Sequence, residues 1–196
     1  MATYASIKYD MDLSSSATGA GALTLLSTQT ASSSATLSFT SGIDSTYDEY
    51  VFKFYDIHPS AVQTLHFNAS VDAGSNYNVS KTTTYFRALH DEADSSTSLA
   101  YVDADLANGT GTQRLSAGID TANDASGCGT LQIFNPSSTT FVKHYMATTQ
   151  ASHEGDYSLQ CFTAGYFNTT SAIDAIQFKM HSGNIDAGDI CLYGIK

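Results

Sequence analysis

The string that most resembles a chemical signature is His90 to Asp94, HDEAD. In RNA helicases a DEAD tetrad holds the magnesium of a bound nucleotide. That chemistry also needs a glycine-rich phosphate loop, GxxxxGK followed by Ser or Thr, and none occurs here. Asp91, Glu92 and Asp94 therefore read as a solvated acidic loop beside a strand end. DADLANG, Asp103 to Gly109, spaces Asp103, Asp105 and Asn108 somewhat as a calcium loop does. It misses the DxDxDG register and the downstream bidentate glutamate, so a plain turn is the reading and calcium the alternative. DTANDASG, from Asp120, is a weaker version of the same pattern. The six histidines, His58, His66, His90, His144, His153 and His181, form no HxH or HExxH pair. His66 and His144 fall on the polar faces of strand-like runs, which marks them as surface or interface residues. No GxSxG elbow is present, and a glycosidase carboxylate pair draws its partners from distant strands that sequence spacing does not connect. Twelve tyrosines and no tryptophan leave a glycan platform open without marking one. No catalytic, cofactor-binding or metal-ligating residue is assigned, and no cofactor is expected.

The elements that would position such groups are strands. ATLSFT alternates Leu37 and Phe39 with Ser and Thr, a period of two. EYVFKFYDI sets Tyr50, Phe52 and Phe54 on one face and Val51, Tyr55 and Ile57 on the other. Both faces are therefore expected to be covered, within one sandwich or by a neighbouring subunit. LHFNASV aligns Leu65, Phe67, Ala69 and Val71; TLQIFN, FVKHYMA, YSLQCFTAGYF, AIQFKM and DICLYGI continue the pattern. Turn-formers separate these runs, in DAGSNYN, DLANGTGT, DTANDASGCG, NPSST and HSGNIDAG. TTTYFRALHDEAD is the best helix candidate, a turn or two around Tyr85 to Asp94, although Thr82 to Phe86 suit a strand equally. Short strands at regular spacing predict an all-β fold, an antiparallel β-sandwich of jelly-roll type. Residues 35–196 form that domain; residues 1–34, with the small-residue stretch SSSATGAGA, are an N-terminal arm or lead-in strand.

Bulk properties narrow the partners. The 196 residues include 42% hydrophobic residues, enough for a sizeable core, but only 14% charged ones. A net charge of -11 with eight Lys and Arg argues against nucleic acid and against anionic membranes. Such a surface stays soluble by self-repulsion and suits a saline medium. Cys128, Cys161 and Cys191 give neither a zinc spacing nor a disulfide framework. Cys161 and Cys191 read as buried thiols, with a mutual disulfide as the alternative if their strands are neighbours. The opening MATYASIKYDMD is not expected to be a secretion signal, and no apolar run approaches the ~18 residues of a membrane helix. Asn-x-Ser/Thr triplets at Asn68, Asn78, Asn108 and Asn168 are read as unmodified.

Three blocks carry a resemblance: GIDSTYDEYVFKFYDIHPS (Gly42 to Ser60), IFNPSSTTFVKHY (Ile133 to Tyr145) and AGYFNTTSAIDAIQFKMHSGNIDAGDICLYGIK (Ala164 to Lys196). With the HDEAD region, most of the chain after residue 35 resembles virion structural proteins of tailed bacteriophages, marine and cyanobacterial ones above all. The resemblance implies a non-enzymatic virion-surface component: a capsid decoration, head fibre or tail-fibre module. It would dock on other virion proteins, capsid or tail, and self-associate, with a homotrimer as the expected assembly. The doubled aromatic faces around Tyr50 to Ile57 are the candidate subunit contact, and the arm would lie over the capsid or a neighbour. The second reading is a lectin-like module that binds host glycans through Tyr, Asn and Asp at loop tips; the third is a polysaccharide depolymerase. Lysis would release such a protein without a secretion signal.

Overall fold

A computed structural model describes residues 22–196. The expectations for residues 1–21, including most of SSSATGAGA, lie outside the described residues. Twelve strands follow in chain order: β1 (Thr24–Thr30), β2 (Leu37–Phe39), β3 (Glu49–Pro59), β4 (Gln63–Ser70), β5 (Lys81–Asp91) and β6 (Thr97–Tyr101), then β7 (Gln113–Ile119), β8 (Gly127–Phe134), β9 (Lys143–His153), β10 (Tyr157–Phe167), β11 (Ala175–Met180) and β12 (Ile185–Ile195). The protein is an antiparallel β-sandwich. One sheet has eight strands, ordered β1-β12-β3-β8-β9-β10-β5-β6; the other has four, ordered β2-β11-β4-β7.

The pairings β1·β12, β2·β11, β3·β8 and β4·β7 place early strands beside late ones from the outside in. That is a long antiparallel hairpin rolled onto itself, the jelly-roll manner of wrapping. The hairpins β5–β6 and β9–β10 are inserted into this roll and extend its larger sheet from four strands to eight. β5 occupies the TTTYFRALHD segment where a helical turn was the alternative: Thr82, Thr83 and Thr84 favour the extended chain, and its whole length pairs with β10. β1 fits the lead-in strand, one of the two expectations for residues 1–34. Residues 24–30 complete the large sheet against β12, and Ser34 bridges Ile185, so this part of the lead-in belongs to the sandwich.

Between the sheets the core centres on Phe178 of β11. Its ring lies 5.1 Å from Phe52, 5.2 Å from Phe54 and 6.1 Å from Phe39, each edge to face. Those geometries match the ring quadrupoles, and every one of these side chains is buried. Tyr50, Phe52 and Phe54 face inward as the alternation predicts. Ile57 does not follow it. A bulge falls between Phe54 and Ile57, where Asp56 takes the left-handed region (φ 49°) and absorbs one residue. The strand then resumes on the opposite parity, so Ile57 is buried while Tyr55 stays exposed. The partner strand permits this only because residue 188 is glycine: at φ 110° a Cβ there would sit 2.5 Å from the Asp56 carbonyl oxygen. Val71 likewise leaves the expected face, because β4 ends at Ser70 and Val71 is exposed.

Candidate functional site

The outer face of the large sheet is the broadest candidate surface. Cross-strand register fixes which side chains share it: Tyr101, Phe86, Phe162, Thr148 and Thr130 form one row across β6, β5, β10, β9 and β8. The next row is Thr84, Ala164, Met146 and Gln132, and on the other side runs Leu99, Ala88, Gln160, Gln150 and Cys128. Not one Asp, Glu, Lys or Arg occupies an outward position on these five strands, and the basic side chains there are the histidines His90 and His144. Leu99 is 74% exposed, Tyr101 61% and Met146 55%. Phe86 and Phe162 stack at 4.8 Å with planes 12° apart. Elsewhere the chain carries an excess of carboxylate, and His90–Asp94 is the one side-chain ion pair among the described residues.

A second candidate is an open cleft of about 460 Å³ at one end of the sandwich. It gathers Asp91 and Glu92 with Asp120, Asp124, His153 and Asp156, beside Tyr157. No spacing in the chain announces this gathering, since these residues come from three separate loops. HDEAD is the β5–β6 turn at its rim. Asp91 accepts the backbone N–H groups of Ser95 and Ser96, both at 2.8 Å, and His90 meets Asp94 at 3.1 Å. The Ser95 hydroxyl, which also donates to Asp91, and then these N–H groups hold the Asp91 carboxyl below its ordinary range. An acid catalyst needs the opposite shift. No group of three His, Cys, Asp or Glu side chains is placed to hold a metal ion among the described residues.

DADLANG proves to be a seam rather than a plain turn. Thr83 and Leu106 exchange backbone and side-chain bonds, the Asn108 side-chain oxygen accepts from Ser80 and Asn168, and Asp105 accepts from Tyr101. Asp105 Oδ2 and Asn108 Oδ1, two of the oxygens a calcium loop would use, are engaged in these bonds.

Under that seam, His66 departs from its expected surface position: it is 8% exposed. Its ring lies 5.1 Å from His181 and bonds Thr64 (2.7 Å) and Thr112 (3.0 Å). Burial, with His181, Arg114 and Lys179 as nearby positive charge, lowers its pKa to about 4. Between pH 6.5 and 4 the unfolded chain takes up this proton and the folded chain does not, so acid favours unfolding there. The loss is about 3 kcal/mol across that window. Asp44, Asp72 and Asp91 are shifted downward and act only below pH 3.8. Denaturant melts from pH 7 to 4 are expected to show this fall, and His66→Gln should flatten it; an unchanged slope would exclude His66 as its source.

Of the two cysteines expected to be buried thiols, Cys161 is buried and Cys191 only half-buried. Cys161 on β10 and Cys191 on β12 have β3, β8 and β9 between them, and all three cysteines are free. Buried Cys161 accepts the Tyr85 hydroxyl at 2.9 Å. Two lysines were not foreseen at all. Lys81 is fully buried and donates to Asn68 Oδ1 (2.6 Å), Gly111 O (2.8 Å) and Val79 O (2.9 Å). Lys143 is buried likewise over Ser138 O and Thr169 O. Only the presence of two lysines at the starts of strands, KTTTYF and KHYMA, hinted at this.

The chain matches no protein-family model and no curated protein. The uncharged face, the acidic cleft and the jelly-roll wrapping are therefore what bear on function. No helix among the described residues is long and apolar enough to cross a membrane.

Proposed function

We propose that this chain is a non-enzymatic structural component of a bacteriophage particle, displayed on the virion surface as a capsid decoration, head fibre or tail-fibre module. It acts by self-association and by docking on other virion proteins. The observation that carries this reading is the charge-free outer face, the kind of surface an acidic protein needs in order to be covered by protein. Jelly-roll wrapping supports it by analogy, since viral capsid domains use it, as do lectins. The resemblance of Gly42 to Ser60, Ile133 to Tyr145 and Ala164 to Lys196 to phage virion proteins supplies the particle. Mass spectrometry of purified particles tests it. The chain should be present at a fixed copy number per particle; its occurrence in the infected-cell lysate but not in purified particles would refute the proposal.

The acidic cleft favours a second reading, a lectin-like host-glycan module, because Tyr157 offers a ring beside carboxylate, Gln150 and Ser158 groups able to bond sugar hydroxyls. A glycan array separates the two. Saturable binding abolished by Asp120→Asn with Tyr157→Ala would favour the glycan reading, and a blank array the purely structural one.

A further inference from the structure

We infer that the hollow beside His66 and Arg114, on the outer side of the small sheet, binds the carboxylate of an acidic saccharide. It lies on the other sheet from the uncharged face and does not depend on the virion role.

Strand register builds its floor. Lys179 on β11, His66 on β4 and Arg114 on β7 are successive cross-strand neighbours, so they form one row. His181, two residues beyond Lys179, brings its ring to 5.1 Å from the His66 ring. The chain has 19 Asp and Glu against eight Lys and Arg, so carboxylates are plentiful. Opposite charges set across strands stabilise a sheet. Yet no carboxylate stands in this row, and none pairs with Arg114, Lys179 or His181 among the described residues.

Arg114 is anchored through one edge of its guanidinium only. Nε donates to Ser116 O at 2.7 Å, and the guanidinium carbon lies 5.3 Å from the Tyr85 ring centroid. The two terminal nitrogens have no hydrogen-bond partner among the described residues. They are the fork that meets a carboxylate with two parallel bonds. The cation is held in place with that fork free.

The rest of the hollow suits a sugar. It measures about 440 Å³, the size of a small-ligand cleft, and Thr64, His66, Thr112, Arg114 and His181 line it with Asp103 of the β6–β7 loop. Both His66 nitrogens are taken, one by Thr64 Oγ1 and the other by Thr112 Oγ1. A neutral imidazole has a single N–H, so one threonine donates to the ring and the other accepts from it. The accepting threonine keeps its own proton for a ligand oxygen. The Asp103 carboxylate accepts from ligand hydroxyls. A phosphate chain would meet a net charge of -11 with too few cations to neutralise it. A carboxylate carried on a hydroxylated ring uses every one of these groups.

A glycan array with uronate- and sialate-bearing glycans beside their methyl esters tests this on the full chain. The acids should bind saturably and the esters about tenfold more weakly, because esterification keeps the sugar and removes the charge. Arg114→Gln should weaken binding by about tenfold or more. His181→Ala, on an exposed ring, should weaken it about fivefold at an unchanged melting temperature, so the site is tested even where Arg114→Gln does not fold. Added NaCl should weaken binding. Equal binding of acid and ester, a blank array, binding unmoved by His181→Ala, or a polyglutamate peptide held as tightly as the acidic glycans would each overturn it. Asp120→Asn with Tyr157→Ala should leave this binding intact; its loss there would place the sugar in the acidic cleft and overturn the assignment. The particle assay is separate: a chain missing from particles would refute the virion role and leave this site standing.

Discussion

Phe178→Ala is expected to destabilise the fold by about 4 kcal/mol, the size typical of a buried phenylalanine truncated in a packed core. Phe178 sits on β11 between Leu37 of β2 and Phe67 of β4 in register, and its ring touches rings from β2 and β3. The substitution therefore removes a single side chain that joins the small sheet to the large one. Neighbouring rings cannot collapse into the space, because Phe39 and Phe52 also pack on one another at 5.1 Å. For a chain of this length the melting temperature should fall by about 12 °C. Phe178→Leu, which keeps most of the volume, should recover more than half of the loss. Thermal melts of the two variants check this, and a loss below about 1 kcal/mol for the alanine variant would mean that the core is centred elsewhere.

The second large effect comes from Lys81. Its ammonium has no carboxylate partner among the described residues; it satisfies three oxygens from the β4 side chain, the β4–β5 loop and the β6–β7 loop. Asn68, which accepts one of these bonds, also donates to Tyr77 O and Thr110 O, so a single buried pair closes two loops over one end of the sandwich. Burial lowers the Lys81 pKa to about 8, which still leaves the group mostly charged at neutral pH. Lys81→Met keeps the stem volume and takes the ammonium from buried Val79 O and part-buried Gly111 O, while Asn68 Oδ1 keeps the Ala69 N–H. At roughly 1–3 kcal/mol for each orphaned group, less the relief of the charge's desolvation, the net loss is about 3 kcal/mol. Hydrogen exchange should speed up at the amides of Leu106 and Gly109, whose partners lie on β5, and stay slow in β12. Uniform acceleration across the chain would point to global unfolding and contradict a local closure role.

Much of the fold is legible in the residues themselves. Alternation in ATLSFT, LHFNAS, FVKHYMA and AIQFKM names strands, because a half-buried sheet permits no other period. What escapes is whatever depends on which strand lies beside which. Ile57 changes face through a one-residue bulge that needs Gly188 on another strand, and nothing around Asp56 announces it. His66 and Asn68 occupy polar positions of an alternating strand yet are buried, because the β4–β5 and β6–β7 loops fold across that side of the small sheet. The face of Phe86, Phe162, Met146 and Leu99 is assembled from strands far apart in the chain, so no single run displays it. The acidic cleft is likewise built from three loops whose proximity only the wrapping order creates. The doubled aromatics around Tyr50, by contrast, stood out in the sequence and serve mainly the core, with Tyr55 alone left in solvent.

Under the proposed function, the outer face of the large sheet is the surface that works. A residue-resolution image of the intact phage particle tests that most directly. It should show this chain on the exterior, with Leu99, Tyr101, Phe86 and Met146 covered by protein and the cleft at Asp120 and Asp156 open to solvent. A chain seated on the particle with that face bare, held instead through its acidic loops, would contradict it.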